Sequence, residues 1–269
     1  MGTKTVGEVS ARLLKELYKK NKMIFGIEDA IAAIGSNYNT TKKLLLDMTA
    51  RNLLMRIKSG RYIVIPEGIN GPYIGNWYAA AREISNSPDY FISHYSAMSV
   101  HNMLTQPLTR VYISSPKRQQ SPKNFVDRFQ FVYVKKGKIW GIEENWVTNT
   151  EKVRVSDLER TILDCLWQPH NAGGIAEIAK GIWIKKDEID DNKLLKYVAK
   201  YNKKVIAKRL GFILESIAIG DNIIKDLKQY VNKRYDILDP SLPVTEPFKN
   251  NWFLLANVNP DEIGNIIRT

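Results

Sequence analysis

Apolar residues recur with two different periods along the chain, and the change of period divides it. Val6, Val9, Leu13, Leu14 and Leu17 fall at helical spacing with Lys15, Lys19 and Lys20 off the stripe, which predicts an amphipathic helix over 6–20. Gly26 opens a new element: Ile27, Ala30, Ile31 and Ile34 predict a short second helix, ended by Gly35, which carries no Cβ strain. The polar turn Ser36-Asn37-Tyr38-Asn39 follows, and Asn39 or Thr40 can cap a third helix over 41–51, a stretch without Gly or Pro. On a helical wheel Thr41, Leu44, Leu45 and Met48 face one way, while Asn39, Lys42, Lys43, Leu46 and Thr49 face the other. Two strand-like runs, 53–58 and 61–65, are then joined by Ser59-Gly60, a two-residue connection favoured in hairpins.

Glu67-Gly68-Ile69-Asn70-Gly71-Pro72 is rich in breakers and reads as a linker. Beyond it the pattern predicts a helix over 74–86, a second running from Phe91-Ile92-Ser93-His94-Tyr95-Ser96-Ala97 to about 104, and strands at 110–114, 129–135, 138–142 and 151–155. Helical periodicity then dominates at 156–168, 174–184, 191–201, 203–219 and 221–234, before an extended tail in which Trp252-Phe253-Leu254-Leu255 reads as a strand. Strands followed by a block of helices argue for an α+β protein. The expected organisation is an N-terminal winged helix-turn-helix over 1–68 and a larger mixed α/β C-terminal domain with a helical block over 73–269.

Charge sharpens this picture. Residues 1–70 carry twelve Lys/Arg against six Asp/Glu and residues 110–138 eight against one, while residues 139–269 balance at nineteen each. The net charge of +12 therefore comes from the N-terminal half, as expected where one part of a protein meets a polyanion. Asn37, Asn39, Thr40 and Lys42 are the candidates for reading bases, with Lys42, Lys43, Arg56, Lys58 and Arg61 neutralising phosphates. Leu46 either touches a thymine methyl or packs beneath a neighbour. In the segment 110–138, Arg110, Lys117, Arg118 and Lys123 alternate with aromatic residues and suggest a second nucleic-acid surface; the competing view is a loop of solvated lysines. The lone Cys165 excludes a disulfide framework, and no apolar run is long enough to span a bilayer, so a cytoplasmic protein without membrane partner is expected.

Other motifs have structural readings. Ser156-Asp157-Leu158-Glu159 reads as a capping box in which Ser156 and Glu159 exchange backbone hydrogen bonds, with Arg160 and Asp164 as an i,i+4 pair on the outside of the helix. A carboxylate active site of Asp157, Glu159 and Asp164, a metal shared by His94 and His101, and a phosphate on Gly173-Gly174 are the rival chemical readings. No catalytic residue, metal or cofactor is assigned.

The segments Phe91-Ile92-Ser93-His94-Tyr95-Ser96-Ala97 with His101, Val155-Ser156-Asp157-Leu158-Glu159-Arg160-Thr161-Ile162-Leu163-Asp164, Pro169 with Gly173-Gly174, and Arg209-Leu210-Gly211-Phe212-Ile213-Leu214-Glu215 together resemble the AbiEi antitoxins, predicted transcriptional regulators of viral defence. The resemblance spans most of the chain. It implies a type IV toxin-antitoxin (abortive infection) pair. In such a pair the N-terminal domain represses its own operon at inverted repeats in double-stranded DNA. The C-terminal domain counters a nucleotidyltransferase toxin without a stable complex. The alternatives are a stand-alone winged-helix regulator, a nucleic-acid-cleaving enzyme with a DNA-targeting domain, and an adaptor that binds only protein.

Overall fold

The computed structural model describes residues 6–69, 73, 75–85, 87–149, 151–244 and 248–266. Helix α1 (Glu8–Lys19) leads into β1 (Ile24–Gly26), α2 (Ile27–Ile34), α3 (Tyr38–Ala50), β2 (Leu54–Lys58) and β3 (Arg61–Val64). Next come α4 (Trp77–Ser85), β4 (Phe91–Ile92), α5 (His94–Val100), β5 (Val111–Ser115), β6 (Phe129–Tyr133), β7 (Ile142–Trp146) and β8 (Lys152–Ser156). The last part holds α6 (Leu158–Trp167), α7 (Ile175–Ile184), α8 (Asp191–Tyr201), α9 (Lys204–Ser216), α10 (Asp221–Leu227), β9 (Asp236–Ile237), β10 (Phe248–Lys249), β11 (Leu254–Ala256) and α11 (Pro260–Ile266). The protein is thus mixed α/β with several sheets: an antiparallel sheet β1-β3-β2, a mixed sheet β6-β5-β4-β8-β7 and a small sheet β10-β11-β9. Among the described residues no helix is long and apolar enough to cross a membrane.

The first sheet is buried on both faces. Phe25, Leu54, Tyr62 and Val64 point into a core shared with Leu13 and Leu17 of α1, Ala30 and Ile34 of α2, and Leu45 and Met48 of α3. Alternation along the same strands sends Ile24, Ile57 and Ile63 the other way, into a core with Ala79, Ala80, Ala81 and Ile84 of α4 and the inner residues of the five-stranded sheet. The stretch expected to link two separate units is therefore bypassed by a continuous apolar contact. Residues 70–72 of that stretch lie outside the described residues.

Several boundaries depart from the sequence expectation for identifiable reasons. Helix α3 starts at Tyr38 because Asn37 is its cap, accepting from the Thr40 amide at 2.9 Å. The expected strand at 138–142 gives way to a 3₁₀ turn, Lys136–Lys138, and Gly141 at φ 63° delays β7 to Ile142. Strand β1 is too short to show alternation, and α11 buries Ile263 within a mostly polar stretch, so neither announces itself.

The capping box is also relocated. Asp157, not Ser156, caps α6, accepting from the Arg160 amide at 2.9 Å, and the Ser156 hydroxyl lies 2.7 Å from Thr161 Oγ1. Glu159 turns away to accept from the Asp190 amide at 3.0 Å and to pair with Lys193 at 2.7 Å. Arg160 and Asp164 do pair, at 2.9 Å, but inside the protein at 3% and 4% exposure, because Trp140 and Tyr201 lie against the guanidinium.

Helix α9 explains its own motif. Arg209 donates to the carbonyls of Leu166 (2.6 Å) and Ile237 (2.9 Å), tying the end of α6 to β9. Glu215 accepts from the indole of the fully buried Trp252, and Gly211 gives that ring its room: a Cβ there would overlap three atoms of the indole. Gly211→Ala is expected to destabilise the protein by about 1–3 kcal/mol through overpacking, seen as a lowered midpoint in urea unfolding with little change of slope.

Candidate nucleic-acid interface

The third helix is fixed by its inner face and leaves the outer one bare. Thr41, Leu45 and Met48 are buried, Leu44 is half-buried, and the Thr41 hydroxyl donates back to the Asn37 carbonyl at 2.9 Å. Asn39, Lys42, Lys43 and Leu46 are exposed as the wheel placed them, and Thr40 is exposed beside them. Leu46, 50% exposed, does not pack beneath a neighbour. The acid on this helix, Asp47, is paired with Arg51 at 3.4 Å. Thr49 is withdrawn, its hydroxyl donating to the Leu45 carbonyl at 2.7 Å. Tyr38, 53% exposed, was missed because the predicted helix began three residues late. Recognising Asn37 as the cap would have placed it at the first helical position. The cap also changes the reading of Asn37, whose side-chain oxygen is committed to the helix backbone rather than projecting freely.

Strands β2 and β3 form the expected hairpin, with Gly60 at φ 72° in the turn. The register shifts between Arg56 and Lys58, which lets Ile57 point into the core while Arg56 stays exposed. The other two hairpin cations are turned towards the body. Lys58 Nζ reaches the Ile84 carbonyl at 3.5 Å, and burial lowers its pKa from the ordinary lysine value. Arg61 bridges Glu28 (3.2 Å) and Glu83 (3.3 Å), so it braces the hairpin against α4 and its charge is already matched.

The basic segment after β5 divides. Lys123, with Gln119 and Gln120, lines a groove whose opposite wall is Arg56 and Lys58 of the hairpin. Lys117 is near enough for its charge to lower the pKa of Lys58 further. These residues thus join the hairpin in one cationic surface. Arg118 instead stacks over Tyr133 at 5.2 Å, and Arg110 lies 3.9 Å from Asp127, so neither belongs to the groove.

The carboxylates and histidines considered for chemistry are engaged elsewhere. Asp157 meets Tyr197 (2.9 Å) and Lys193 (3.3 Å), Glu159 meets Lys193, and Asp164 meets Arg160 and Tyr201. His94 lies between Ser93 and Gln168, whereas His101 Nε2 is 2.6 Å from the Ser156 carbonyl oxygen, so the two histidines do not share a ligand position. At Gly173-Gly174 the carboxylate of Asp239 accepts from the Ile175 amide at 2.7 Å and so occupies the start of α7 itself. Among the described residues no group of three or more His, Cys, Asp and Glu is arranged to hold a metal ion.

No protein-family model matches the chain, and no curated protein matches its sequence. Among solved structures it is similar to that of the RV2827C protein from Mycobacterium tuberculosis, with a TM-score of 0.76 over 98% of this chain and 96% of that one at 13% identity. At that identity the likeness shows the fold alone.

Two predictions follow from this geometry. Asn37→Ala removes a helix cap and is expected to cost about 1 kcal/mol of stability, measured by thermal melting. The His94 imidazole is held below its ordinary value of 6.5, chiefly by burial, with Arg160 and His170 adding to the effect and Asp164 and Gln168 opposing it. The unfolded chain then binds the extra proton first, so this contribution is present above pH 6.5 and is lost as pH falls towards the depressed value. Unfolding midpoints recorded across that window should fall with acid, and His94→Asn, which tolerates the same backbone, should flatten the slope.

Proposed function

We propose that the chain is a DNA-binding transcriptional repressor. In this reading residues 1–68 act as a winged helix-turn-helix, with α3 as the recognition helix and the β2–β3 hairpin as the wing. The observation that carries the reading is the bare outer face of α3, where Asn39, Thr40, Lys42, Lys43 and Leu46 are exposed together and Asp47 is neutralised by Arg51. A major groove accepts a helix that offers amide and ammonium donors to base edges and a methyl-bearing side chain to thymine. Arg56 and the groove it shares with Lys58 and Lys123 supply phosphate contacts beside that helix. Lys117 extends the same charge, so the second surface proposed over 110–138 narrows to Lys117 and Lys123.

The resemblance to AbiEi antitoxins extends the proposal. Residues 73–269 would make the chain the antitoxin of a type IV pair, autoregulating its operon at inverted repeats and countering a nucleotidyltransferase toxin without a stable complex. No catalytic activity is assigned: Asp157 and Glu159 are held by Lys193 and Tyr197, and Asp164 shares Oδ1 between Arg160 and Tyr201. Co-expression with an adjacent nucleotidyltransferase frame tests this extension: growth rescued by the full chain supports it, and unrelieved toxicity removes it.

The DNA reading is tested by fluorescence anisotropy with a duplex from the chain's own upstream region and a scrambled control, over a range of salt. Combined Lys42→Ala and Lys43→Ala should weaken binding to both duplexes and reduce the slope of log affinity against log salt by about 2. Asn39→Ala should instead narrow the gap between the two duplexes by about 1–3 kcal/mol. Equal affinity for both duplexes, insensitive to these changes, would refute recognition by α3.

A further inference from the structure

A cleft of about 340 Å³ opens between the strands β4 to β6 and the pair formed by α6 and the end of α8, far along the chain from the hairpin groove. Its floor is polar and built. Asp164 Oδ1 accepts from both Arg160 Nε (2.9 Å) and the Tyr201 hydroxyl (2.8 Å), while Oδ2, shut off from solvent, has no hydrogen-bond partner among the described residues. A buried carboxylate oxygen without a donor is costly, and a ligand N–H or O–H would satisfy it. Beside it stands His94 at φ 51°, a backbone conformation uncommon for a residue with a Cβ. A relay holds it there: Ser114 donates to Ser93 Oγ at 2.8 Å, Ser93 lies 2.9 Å from His94 Nδ1, and His94 Nε2 lies 3.0 Å from Gln168 Oε1. These hydrogen bonds fix the imidazole in the wall of the cleft.

The walls and rim restrict what fits. Tyr133, Trp140 and Trp167 line the cleft, and Tyr133 and Trp167 remain 52% and 37% exposed. Such surfaces favour a flat π system. Lys135, Lys138 and Lys203 surround the opening, all exposed, with Lys203 above the Trp167 ring at 4.6 Å. The floor pair Arg160–Asp164 is neutral overall but leaves Oδ2 as an acceptor, and the rim attracts anions, so a ligand should be planar and donor-bearing at its inner end and anionic at its outer end. We propose that this cleft binds a nucleotide, its base against the aromatic walls, an amino or hydroxyl group donating to Asp164 Oδ2, and its phosphate held by Lys135, Lys138 and Lys203. The volume falls at the small end of ligand pockets, which begin at about 300 Å³. The site is independent of the DNA-binding reading.

Isothermal titration of the full chain with the four ribonucleoside monophosphates and triphosphates tests the proposal. Ribose 5-phosphate and pyrophosphate serve as base-free controls, and a trinucleotide presents the same chemistry at a strand end. At least one nucleotide should bind with Kd below about 1 mM, at least tenfold tighter than either control. The paired change Lys135→Glu with Lys138→Glu, and separately Trp167→Ala, should each weaken it at least tenfold; these are exposed positions, and circular dichroism checks that the variants fold. Lys42→Glu with Lys43→Glu should leave nucleotide affinity unchanged, which separates this site from the α3 surface. A trinucleotide binding tighter still identifies the ligand as a strand terminus. The proposal is overturned if no nucleotide binds below about 1 mM, if pyrophosphate or ribose 5-phosphate binds as well, or if the Lys135 and Lys138 pair can be reversed without effect.

Discussion

A three-stranded sheet with no solvent-facing side holds this protein in one shape. Strands that alternate Phe25, Tyr62 and Val64 on one face with Ile24, Ile57 and Ile63 on the other must be covered twice, once by α1 to α3 and once by α4 with the five-stranded sheet behind it. Burying a side chain of this size contributes about 1.5–3 kcal/mol, so the second cover is not optional decoration. Arg61 reinforces it at the edge, with one carboxylate from α2 and another from α4. The consequence is orientation: the exposed face of α3 cannot swivel on a tether, because the sheet beneath it is packed against the rest of the chain.

That constraint also explains the fate of the hairpin cations. A hairpin that projects into solvent keeps its tip charges free, but this one leans on α4. Lys58 is drawn half inside and Arg61 is matched, leaving Arg56 to face outward. The positive potential lost at the hairpin returns from a distant stretch of sequence, since the loop carrying Lys117 and Lys123 closes the same groove. Charge on this surface is thus assembled by tertiary packing and not by one motif.

The sequence conveyed what local periodicity can convey. The sorting of α3 into a buried and a bare face is a property of helical geometry alone, and it transfers directly from the wheel to the fold. Helices α6 to α9 were legible for the same reason. What failed depended on partners far away. Arg160 and Asp164 read as a solvent pair because i,i+4 spacing says nothing about Trp140 and Tyr201, which enclose them. Asp157 displaced Ser156 as the cap because β8 runs one residue further than its pattern shows, carrying Ser156 into the sheet. The glycine of α9 became intelligible only once Trp252, forty-one positions on, was seen filling its place.

The segment 110–138 shows why a run of cations should not be assigned to one surface before its path is known. Strand β6 passes through it, and its two ends part company: Lys123 lines the hairpin groove with Lys117 close enough to act on Lys58, whereas Lys135 and Lys138 stand at the mouth of the Asp164 cleft. Arg118 and Tyr133 connect the two, the guanidinium resting on a ring that lines the cleft while its own loop closes the groove. The Arg118–Tyr133 stack, exposed on both partners, is therefore where the loop after β5 meets β6, and one run of cations ends in two clusters with different surroundings.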